Sequence, residues 1–343
     1  MSNDIIRLGF EVDVQHADAQ LFEADVLAVK LAPRSSGLDA VVRRALREQG
    51  IEIEKLKVGE SCMVPAGDAA KTQHILFVGT PSIFQLDYAA IRALGQNVLA
   101  ALADTDIQHL VTTVHGINTA LGLDEIEAFR SLLLGMADAY QAGQYPPQLA
   151  RVTITEFNKN RALLYQKALA NFLPPMAEDD LLMTETGTVN RDVVRKEPGV
   201  QVAQAISLAM QQPLADDSTP HVFVAMPFSD QYDDQYYLAI QPTIRATNLL
   251  CERMDLDQFT GDITDRMFER IRSARLVVAL LDGGNPNVYL EVGYAWGVGT
   301  QTVLLAQQDE RLPFDVRGHR ILLYDKIYRL KEMLQTELDG LLS

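Results

Sequence analysis

The chain has 343 residues, 48% of them hydrophobic and 22% charged, with a formal net charge of −16 at pH 7. Its length predicts two domains, because single domains commonly hold about 100–200 residues. Such an acidic composition argues against a protein that binds long nucleic acid, although a local arginine or a helix N-terminus still suits a small nucleotide.

The sequence also argues against a membrane-spanning or secreted protein. No apolar stretch approaches the roughly 20 residues of a membrane span, and residues 1–4 lack the features of a signal peptide. Cys62 and Cys251 are the only cysteines, which predicts neither a disulfide framework nor a cysteine zinc cluster. The six histidines form no metal-binding spacing. We therefore expect a soluble, cytoplasmic protein, and we predict no metal or other cofactor.

The first 173 residues alternate between strand and helix patterns. Strand-like segments are 7–14, 25–32, 74–79, 109–115 and 151–157, and helix-like segments are 38–49, 88–103, 123–140 and 160–173. Gly50 is expected to end the first of these helices. The alternation predicts a three-layer α/β domain, with helices on both sides of one sheet.

A linker is predicted over residues 174–219. Repeated prolines and the acidic patch 178–180 interrupt any regular pattern there. The apolar stretch 200–210 predicts one short helix within it.

Residues 220–343 form the second predicted domain. Strand-like segments are 221–226, 275–281, 302–306 and 320–324, and helix-like segments are 236–250, 262–273, the run that follows Asn285, and 326–342. This order predicts a parallel sheet with helices on both faces. Ligands bind beyond the carboxyl ends of such strands, where segments 227–234, 255–262 and 282–287 are expected to meet.

One carboxylate, Glu291, interrupts the apolar helical run 288–296. Asn285 is a good N-cap and Pro286 suits the first helical position, which places Glu291 about a turn and a half into the helix. A carboxylate on a helix that packs against a sheet is paired, protonated or directed at a ligand cavity. The alternative to a catalytic role is a structural ion pair with Arg266 or Arg270.

The second domain resembles a known superfamily. The residues that carry the resemblance are Phe223-Val224-Ala225-Met226-Pro227-Phe228, then Asp282-Gly283-Gly284-Asn285-Pro286-Asn287 and the helix with Glu291. Over residues 221–325 this order is similar to the nucleoside 2-deoxyribosyltransferase-like superfamily, whose relatives include nucleotide N-glycosidases and, more distantly, Toll/interleukin-receptor (TIR) domains. The resemblance implies that Glu291 is the catalytic carboxylate and that Asp282 contacts base or sugar. The transferases usually carry a Gly-Thr element before the glutamate, which this loop lacks. A hydrolase, or a domain that binds the ligand without activity, is therefore favoured over base exchange.

Further substrate-binding candidates surround this motif. They are Met226, Pro227, Phe228, Tyr232, Asp262, Asn285, Asn287 and Tyr294. The structural alternatives are packing for Phe228 and Tyr232, an N-cap for Asp262 and a turn brace for Asn287. Tyr294 lies one turn from Glu291, where it either holds that carboxylate or belongs to the core.

The first domain resembles macro domains. The segments that carry this resemblance are 23–29, 37–39 and 115–122, and segments 59–65 and 74–79 are similar to the macro-like N-terminal domain of leucyl aminopeptidases. Macro domains bind ligands of the ADP-ribose type, which implies a signal-binding site at Asp25, Gly37, Gly116, Ile117, Asn118, Thr119 and Gly122. A glycine-rich turn without a ligand is the alternative. Residues 30–33 lack the asparagine pair of many macro domains, which argues against ADP-ribosyl hydrolysis.

The predicted fold class is therefore α/β, with two three-layer α/β domains: an N-terminal, macro-like mixed sheet and a C-terminal, flavodoxin-like parallel sheet. The leading hypothesis is an N-glycosidase that hydrolyses NAD or another nucleotide and serves as an antiviral effector, activated by a nucleotide second messenger. The alternatives are a nucleoside deoxyribosyltransferase of salvage metabolism and a non-enzymatic nucleotide-binding signalling protein. A homo-oligomer is expected, although the apolar face of helix 326–342 also suits packing on its own sheet.

Overall fold

A computed structural model describes residues 8–33, 37–82, 85–117, 122–172, 214–254 and 262–342. The chain divides into two compact units. The first comprises Met1–His115 and Ala128–Leu214, and the second comprises Gly116–Glu127 and Ala215–Ser343. Most of the predicted linker, including the predicted helix 200–210, lies outside the described residues.

The first unit contains a six-stranded mixed sheet. Its strands are β1 (Glu11–His16), β2 (Val26–Leu31), β3 (Ser61–Pro65), β4 (His74–Gly79), β5 (His109–Thr112) and β6 (Arg151–Glu156). They lie in the order β1-β6-β5-β2-β4-β3, and every pair is parallel except β3 with β4. All six residues of β2 are buried. Because successive side chains point to opposite faces, the sheet is covered on both sides, as predicted.

Four helices accompany this sheet: α1 (Leu38–Glu48), α2 (Tyr88–Ala101), α3 (Glu125–Gln141) and α4 (Lys159–Phe172). Helix α1 ends at Glu48, and Gly50, which follows its C-cap Gln49, adopts a φ of 81°. The strand and helix predictions for this unit are confirmed to within a few residues at their ends. The antiparallel edge strand β3 was not predicted.

The second unit contains a five-stranded parallel sheet. Its strands are β7 (His221–Ala225), β8 (Leu250–Glu252), β9 (Leu276–Leu280), β10 (Thr302–Gln307) and β11 (Ile321–Tyr324), in the order β11-β10-β9-β7-β8. This is the flavodoxin-like order that was predicted. Chain order reverses between β7 and β9, and parallel sheets bind ligands beyond the carboxyl ends of the strands at such a reversal.

The helices of the second unit follow the predicted alternation. They are a π-helical segment (Gln235–Ile240) continued by α5 (Gln241–Ala246), then α6 (Asp262–Ser273), α7 (Pro286–Val298), α8 (Phe314–Arg317) and α9 (Ile327–Leu342). Helix α9 buries Leu330, Leu334 and Leu338 against β11 and the π-helical segment. Its apolar face therefore packs on its own sheet. No helix among the described residues is long and apolar enough to cross a membrane.

Asp124 explains why the segment Gly116–Glu127 groups with the second unit. Its carboxylate is fully buried and accepts hydrogen bonds from the Cys251 backbone N–H at 2.8 Å and from Arg245 Nη1 at 3.1 Å. Gly122 also packs closely, because a Cβ built on it would lie 2.4 Å from Met254 Cγ. These contacts connect the segment to the end of β8 and to α5.

Candidate functional site

The loop that follows β9 is held at its first residue, Asp282. This side chain is 2% exposed, and both of its carboxylate oxygens are hydrogen-bonded. One oxygen accepts from the Gln307 backbone N–H at 2.8 Å, and the other accepts from the Tyr324 hydroxyl. Burial raises the pKa of the Asp282 carboxyl, while the Tyr324 hydrogen bond lowers it. The structure therefore uses Asp282 to join the ends of β9, β10 and β11.

Gly283 continues this loop in a left-handed conformation, with a φ of 76°. Its N–H donates to Glu310 Oε2 at 3.0 Å. A Cβ built on Gly283 would lie 2.1 Å from the Tyr232 hydroxyl oxygen, so the buried Tyr232 ring closes over the loop. Tyr232 thus lies at this edge of the sheet, as predicted, and packs against Gly283.

Replacing Gly283 with alanine is expected to destabilise the second unit by more than the same change at Gly284. Gly284 also has a positive φ, 62°, but no atom lies within 4 Å of a Cβ built there. Both variants incur a left-handed backbone penalty of about 1–2 kcal/mol, and Gly283→Ala adds overpacking against Tyr232 of about 1–3 kcal/mol. Denaturant unfolding of both variants measures the difference. Equal losses would mean that the Tyr232 ring moves aside without cost.

Helix α7 begins as the sequence predicts. Asn285 is its N-cap and accepts a hydrogen bond from the Asn287 backbone N–H at 2.8 Å, and Pro286 is its first residue. Its buried residues are Val288, Glu291, Val292 and Ala295, a spacing that places them on one stripe. The helix packs against β7, β9 and β10, so this stripe faces the sheet. Glu291 lies about 7–8 Å along the helix from its start.

Glu291 is buried without a compensating partner. Its side chain is 4% exposed, and among the described residues no group forms a hydrogen bond or an ion pair with it. Burial, the only cause identified, raises the pKa of Glu291 well above its usual range. A carboxyl group in this state is costly to keep ionised, which is the usual mark of a functional position.

The two arginines considered as structural partners of Glu291 bind elsewhere. Arg270 donates to both Glu252 carboxylate oxygens at 2.8 Å, and Arg266 forms an ion pair with Asp217 at 3.1 Å. The structural alternative for Glu291 is therefore not found within the described part of the chain.

Replacing Glu291 with glutamine is expected to stabilise the protein at neutral pH by about 1–2 kcal/mol, as removal of a strained functional group often does. Because the folded-state pKa of Glu291 is raised, the contribution of the protonated side chain to protein stability is fully present below the ordinary pKa of 4.5. That contribution is lost as pH rises through the folded-state pKa. The stability gain of Glu291→Gln should therefore vanish near pH 4 and grow toward pH 7. Thermal unfolding of both proteins across this range measures it. A constant difference would show that Glu291 does not titrate on unfolding.

Tyr294 does not hold the Glu291 carboxylate. Its ring stacks on Phe268 with centroids 3.9 Å apart, and its hydroxyl accepts a hydrogen bond from Arg272 Nη2 at 2.6 Å. These contacts with α6 therefore hold the Tyr294 hydroxyl at Arg272 and not at the Glu291 carboxylate. Helix α6 begins at Asp262 as predicted, but the Asp262 side chain lies outside the described part of the structure.

The loop after β7 contains the remaining predicted residues. Met226 and Pro227 are buried, and Phe228 is partly buried. The Phe228 ring stacks on the guanidinium of Arg253, a residue that was not predicted to be functional. Arg253 directly follows the short strand β8, which was not predicted either. Without this strand, no sheet edge could be predicted next to Arg253.

Arg253 lines a small hollow together with Leu123, Glu125, Phe228 and Tyr236, all of the second unit. Phe228 and Arg253 follow neighbouring parallel strands, β7 and β8. The hollow therefore lies at the carboxyl edge of the sheet, the edge at which parallel sheets bind ligands.

The first unit gathers buried polar groups at the carboxyl edge of its own sheet. Lys30, near the end of β2, forms a buried ion pair with Asp39 at 3.1 Å. His115 and Thr80 follow β5 and β4, the neighbours of β2. Asp39 Oδ2, His115 Nε2 and Thr80 Oγ1 are buried and have no hydrogen-bond partner among the residues that the structure describes. Burial and the nearby Lys30 charge lower the pKa of His115 to about 3, so this ring is neutral at physiological pH.

The predicted signal-binding residues separate in the structure. Asp25 precedes β2 at the opposite, amino-terminal edge of the sheet, where its carboxylate accepts from the backbone N–H groups of Gln108 and His109. Gly37 precedes α1 with a φ of 76°. Gly116, Ile117 and Gly122 belong to the second unit, and Asn118 and Thr119 lie outside the described residues. Ligand binding by these residues stays a prediction.

No cluster of potential metal ligands is present among the described residues. The fold thus defines a protein with two α/β units, one mixed and one parallel, with a buried carboxylate in the second.

Comparisons with known proteins give similarity in fold only. No protein-family model matches the sequence, and neither does any curated protein. A Clostridium botulinum CMP N-glycosidase, BcmB, is similar at 20% identity and a TM-score of 0.30, over 34% of this chain and 99% of that one. A Trypanosoma brucei macrodomain is similar at 12% identity and a TM-score of 0.39, over 46% of this chain and 66% of that one.

The macrodomain of Mycobacterium tuberculosis DarG is similar at 14% identity and a TM-score of 0.33, over 42% of this chain and 97% of that one. Similarities this low leave the function to be inferred from the residues of the site.

Proposed function

We propose that the second unit is an N-glycosidase that hydrolyses NAD or another nucleotide, with Glu291 as its catalytic carboxylate. The observation that carries this proposal is the burial of Glu291 without a hydrogen-bond or ion-pair partner among the described residues. Glu291 lies on the helix that follows β9, and β9 is one of the two strands between which chain order reverses. Ligands of parallel sheets bind at such a reversal.

The chemistry suits a buried carboxylate. As the bond between C1′ and the base nitrogen breaks, its electron pair leaves with the base and positive charge develops on the ribose. Glu291 stabilises that charge or attacks C1′. Water then supplies a hydroxyl group to C1′. Its remaining proton goes to a base that leaves as an anion, or to solvent when the base is nicotinamide, which leaves NAD as a neutral molecule. Because burial disfavours the ionised form of Glu291, a positive charge that develops beside it in the transition state stabilises the carboxylate, and this lowers the barrier.

The loop residues have a positioning role in this proposal. Asp282 is fully engaged with Gln307 and Tyr324, so it fixes the start of the loop and the direction of α7. We therefore assign Asp282 a positioning role instead of a catalytic one. A catalytic group works best when its supporting residues are locked in this way.

The test is incubation of the purified protein with NAD and a panel of nucleotides and nucleosides, followed by chromatography for free nicotinamide or base. Release of base into water is the result expected. Base exchange between two nucleosides would indicate the deoxyribosyltransferase alternative. Tight nucleotide binding without any released base would indicate the non-enzymatic alternative.

We also propose that the first unit binds a nucleotide signal. The support is a group of buried polar atoms on Asp39, Thr80 and His115 that have no partner in the described part of the chain, since buried polar atoms normally have partners and a polar ligand would supply them. An antiviral effector activated by this signal extends the proposal by analogy with similar domain combinations. Homo-oligomerisation and a cytoplasmic location stay predictions.

A further inference from the structure

The guanidinium of Arg253 lies between two aromatic rings. Its central carbon is 4.3 Å from the centroid of Phe228 and 4.0 Å from that of Tyr236. Tyr236 is 1% exposed, so one side of this arrangement is rigid core. Stacking on two rings fixes the plane of the guanidinium and leaves its N–H groups pointing outward from its edges.

Those N–H groups lack an anionic partner. Among the described residues, no carboxylate forms an ion pair with Arg253, and its one polar contact is Nη1 to Met226 Sδ at 3.8 Å. Sulfur is a weak acceptor, so this contact does not neutralise the charge. The buried Arg270 and the partly buried Arg245 do have carboxylate partners, Glu252 and Asp124. A partly buried arginine that is held flat and has no counter-ion in the described part of the chain suits an anionic ligand.

Arg253 lies beside a small hollow at the carboxyl edge of the sheet. The Glu125 carboxylate also lines it and accepts a hydrogen bond from the Tyr237 hydroxyl at 3.1 Å. A carboxylate of this kind is a common acceptor for ribose hydroxyl groups.

We propose that Arg253 binds the phosphate of the substrate, so that the second unit acts on phosphorylated nucleotides in preference to free nucleosides. Planar guanidinium groups match phosphate oxygens in paired hydrogen bonds. This proposal rests on the proposed function, because it names the substrate class of that activity. Phosphate binding by Arg253 can nevertheless be measured without cleavage.

The experiment compares binding of a nucleoside 5′-monophosphate, the matching nucleoside and NAD by isothermal titration calorimetry. Glu291→Gln serves as the non-cleaving background, and Arg253→Gln is added to it. We expect the monophosphate to bind at least about tenfold more tightly than the nucleoside, and Arg253→Gln to remove about 10–100-fold of its affinity while leaving the nucleoside unchanged. Comparison of the affinities for NAD and for the monophosphate shows whether the site prefers a diphosphate or a terminal phosphate.

Arg275→Gln is the matched control, since Arg275 is exposed at the amino-terminal edge of the same sheet. It should leave all affinities unchanged. In the unaltered protein, inorganic phosphate should compete with the monophosphate but not with the nucleoside, which keeps the test valid if Arg253→Gln does not fold. Equal binding of monophosphate and nucleoside, or no effect of Arg253→Gln in a folded protein, would overturn the phosphate role. If binding depended on the phosphate but the unaltered protein released no base, the phosphate role of Arg253 would stand and the glycosidase activity would be rejected.

Discussion

Glu291→Gln is expected to reduce the rate of base release by about 10³-fold or more, the loss usually seen when a group that stabilises transition-state charge is removed. Glutamine keeps the size of the side chain and most of its packing, but it cannot carry the negative charge that the developing oxocarbenium ion requires. The nucleotide affinity should change much less than the rate, since the charge matters chiefly in the transition state. Single-turnover kinetics with excess enzyme measure the chemical step directly.

The matched control is Glu332→Gln, the same substitution at an exposed position of helix α9. This variant should retain the full rate. If Glu291→Gln also retained it while remaining folded, Glu291 would have no catalytic role, and its burial would need a purely structural explanation.

Arg270→Met is expected to destabilise the second unit by about 3–5 kcal/mol, because it leaves a buried carboxylate without its partner. Arg270 and Glu252 are 4% and 3% exposed and share two hydrogen bonds of 2.8 Å. Arg270 also donates to the Asp217 carbonyl at 2.8 Å. His221 completes the cluster, with its Nε2 2.9 Å from the Arg270 carbonyl oxygen. The cluster connects α6 with the start of β7 and the end of β8.

Denaturant unfolding of three variants tests this expectation. Arg266→Met removes a neighbouring arginine of the same helix whose partner, Asp217, is 74% exposed, so it should cost no more than about 1 kcal/mol. The double variant Glu252→Gln/Arg270→Met should recover part of the loss, because it removes the stranded charge. Similar costs for Arg270→Met and Arg266→Met would contradict the importance assigned to the buried pair.

The sequence was most informative where local signals determine structure. The Asn285-Pro286 pair specifies the start of α7 through a side-chain cap and a fixed φ, and the helix begins there. The apolar runs that contain β4 and β9 are bounded by polar residues, so both runs were predictable as strands. The parallel sheet follows from that alternation.

The missed elements depend on pairing between distant segments. Strand β8 has three residues directly after a helical pattern, and it is a strand only because it pairs with β7. Strand β3 alternates between exposed and partly buried residues and ends at a proline, which is typical of an edge. Without β8, Arg253 looked like an ordinary charged loop residue. Its aromatic neighbours, Phe228 and Tyr236, are far from it in sequence, so their stacking could not be predicted.

Two site predictions changed for the same reason. Tyr294 is one turn from Glu291, but its contacts with Phe268 and Arg272 on another helix determine its orientation. The glycine loop after β5 follows a strand of the first unit, yet Asp124 and Gly122 pack it against residues of the second. Tertiary contacts of this kind leave no periodic pattern in the sequence.

The crystal structure of Glu291→Gln with an uncleaved nucleotide tests the central claim most directly. We expect the side chain at position 291 to contact the ribose C1′ at about 3–3.5 Å, the separation of reacting groups. A nucleotide bound with its ribose away from this side chain, or residue 291 sealed within apolar packing, would contradict it.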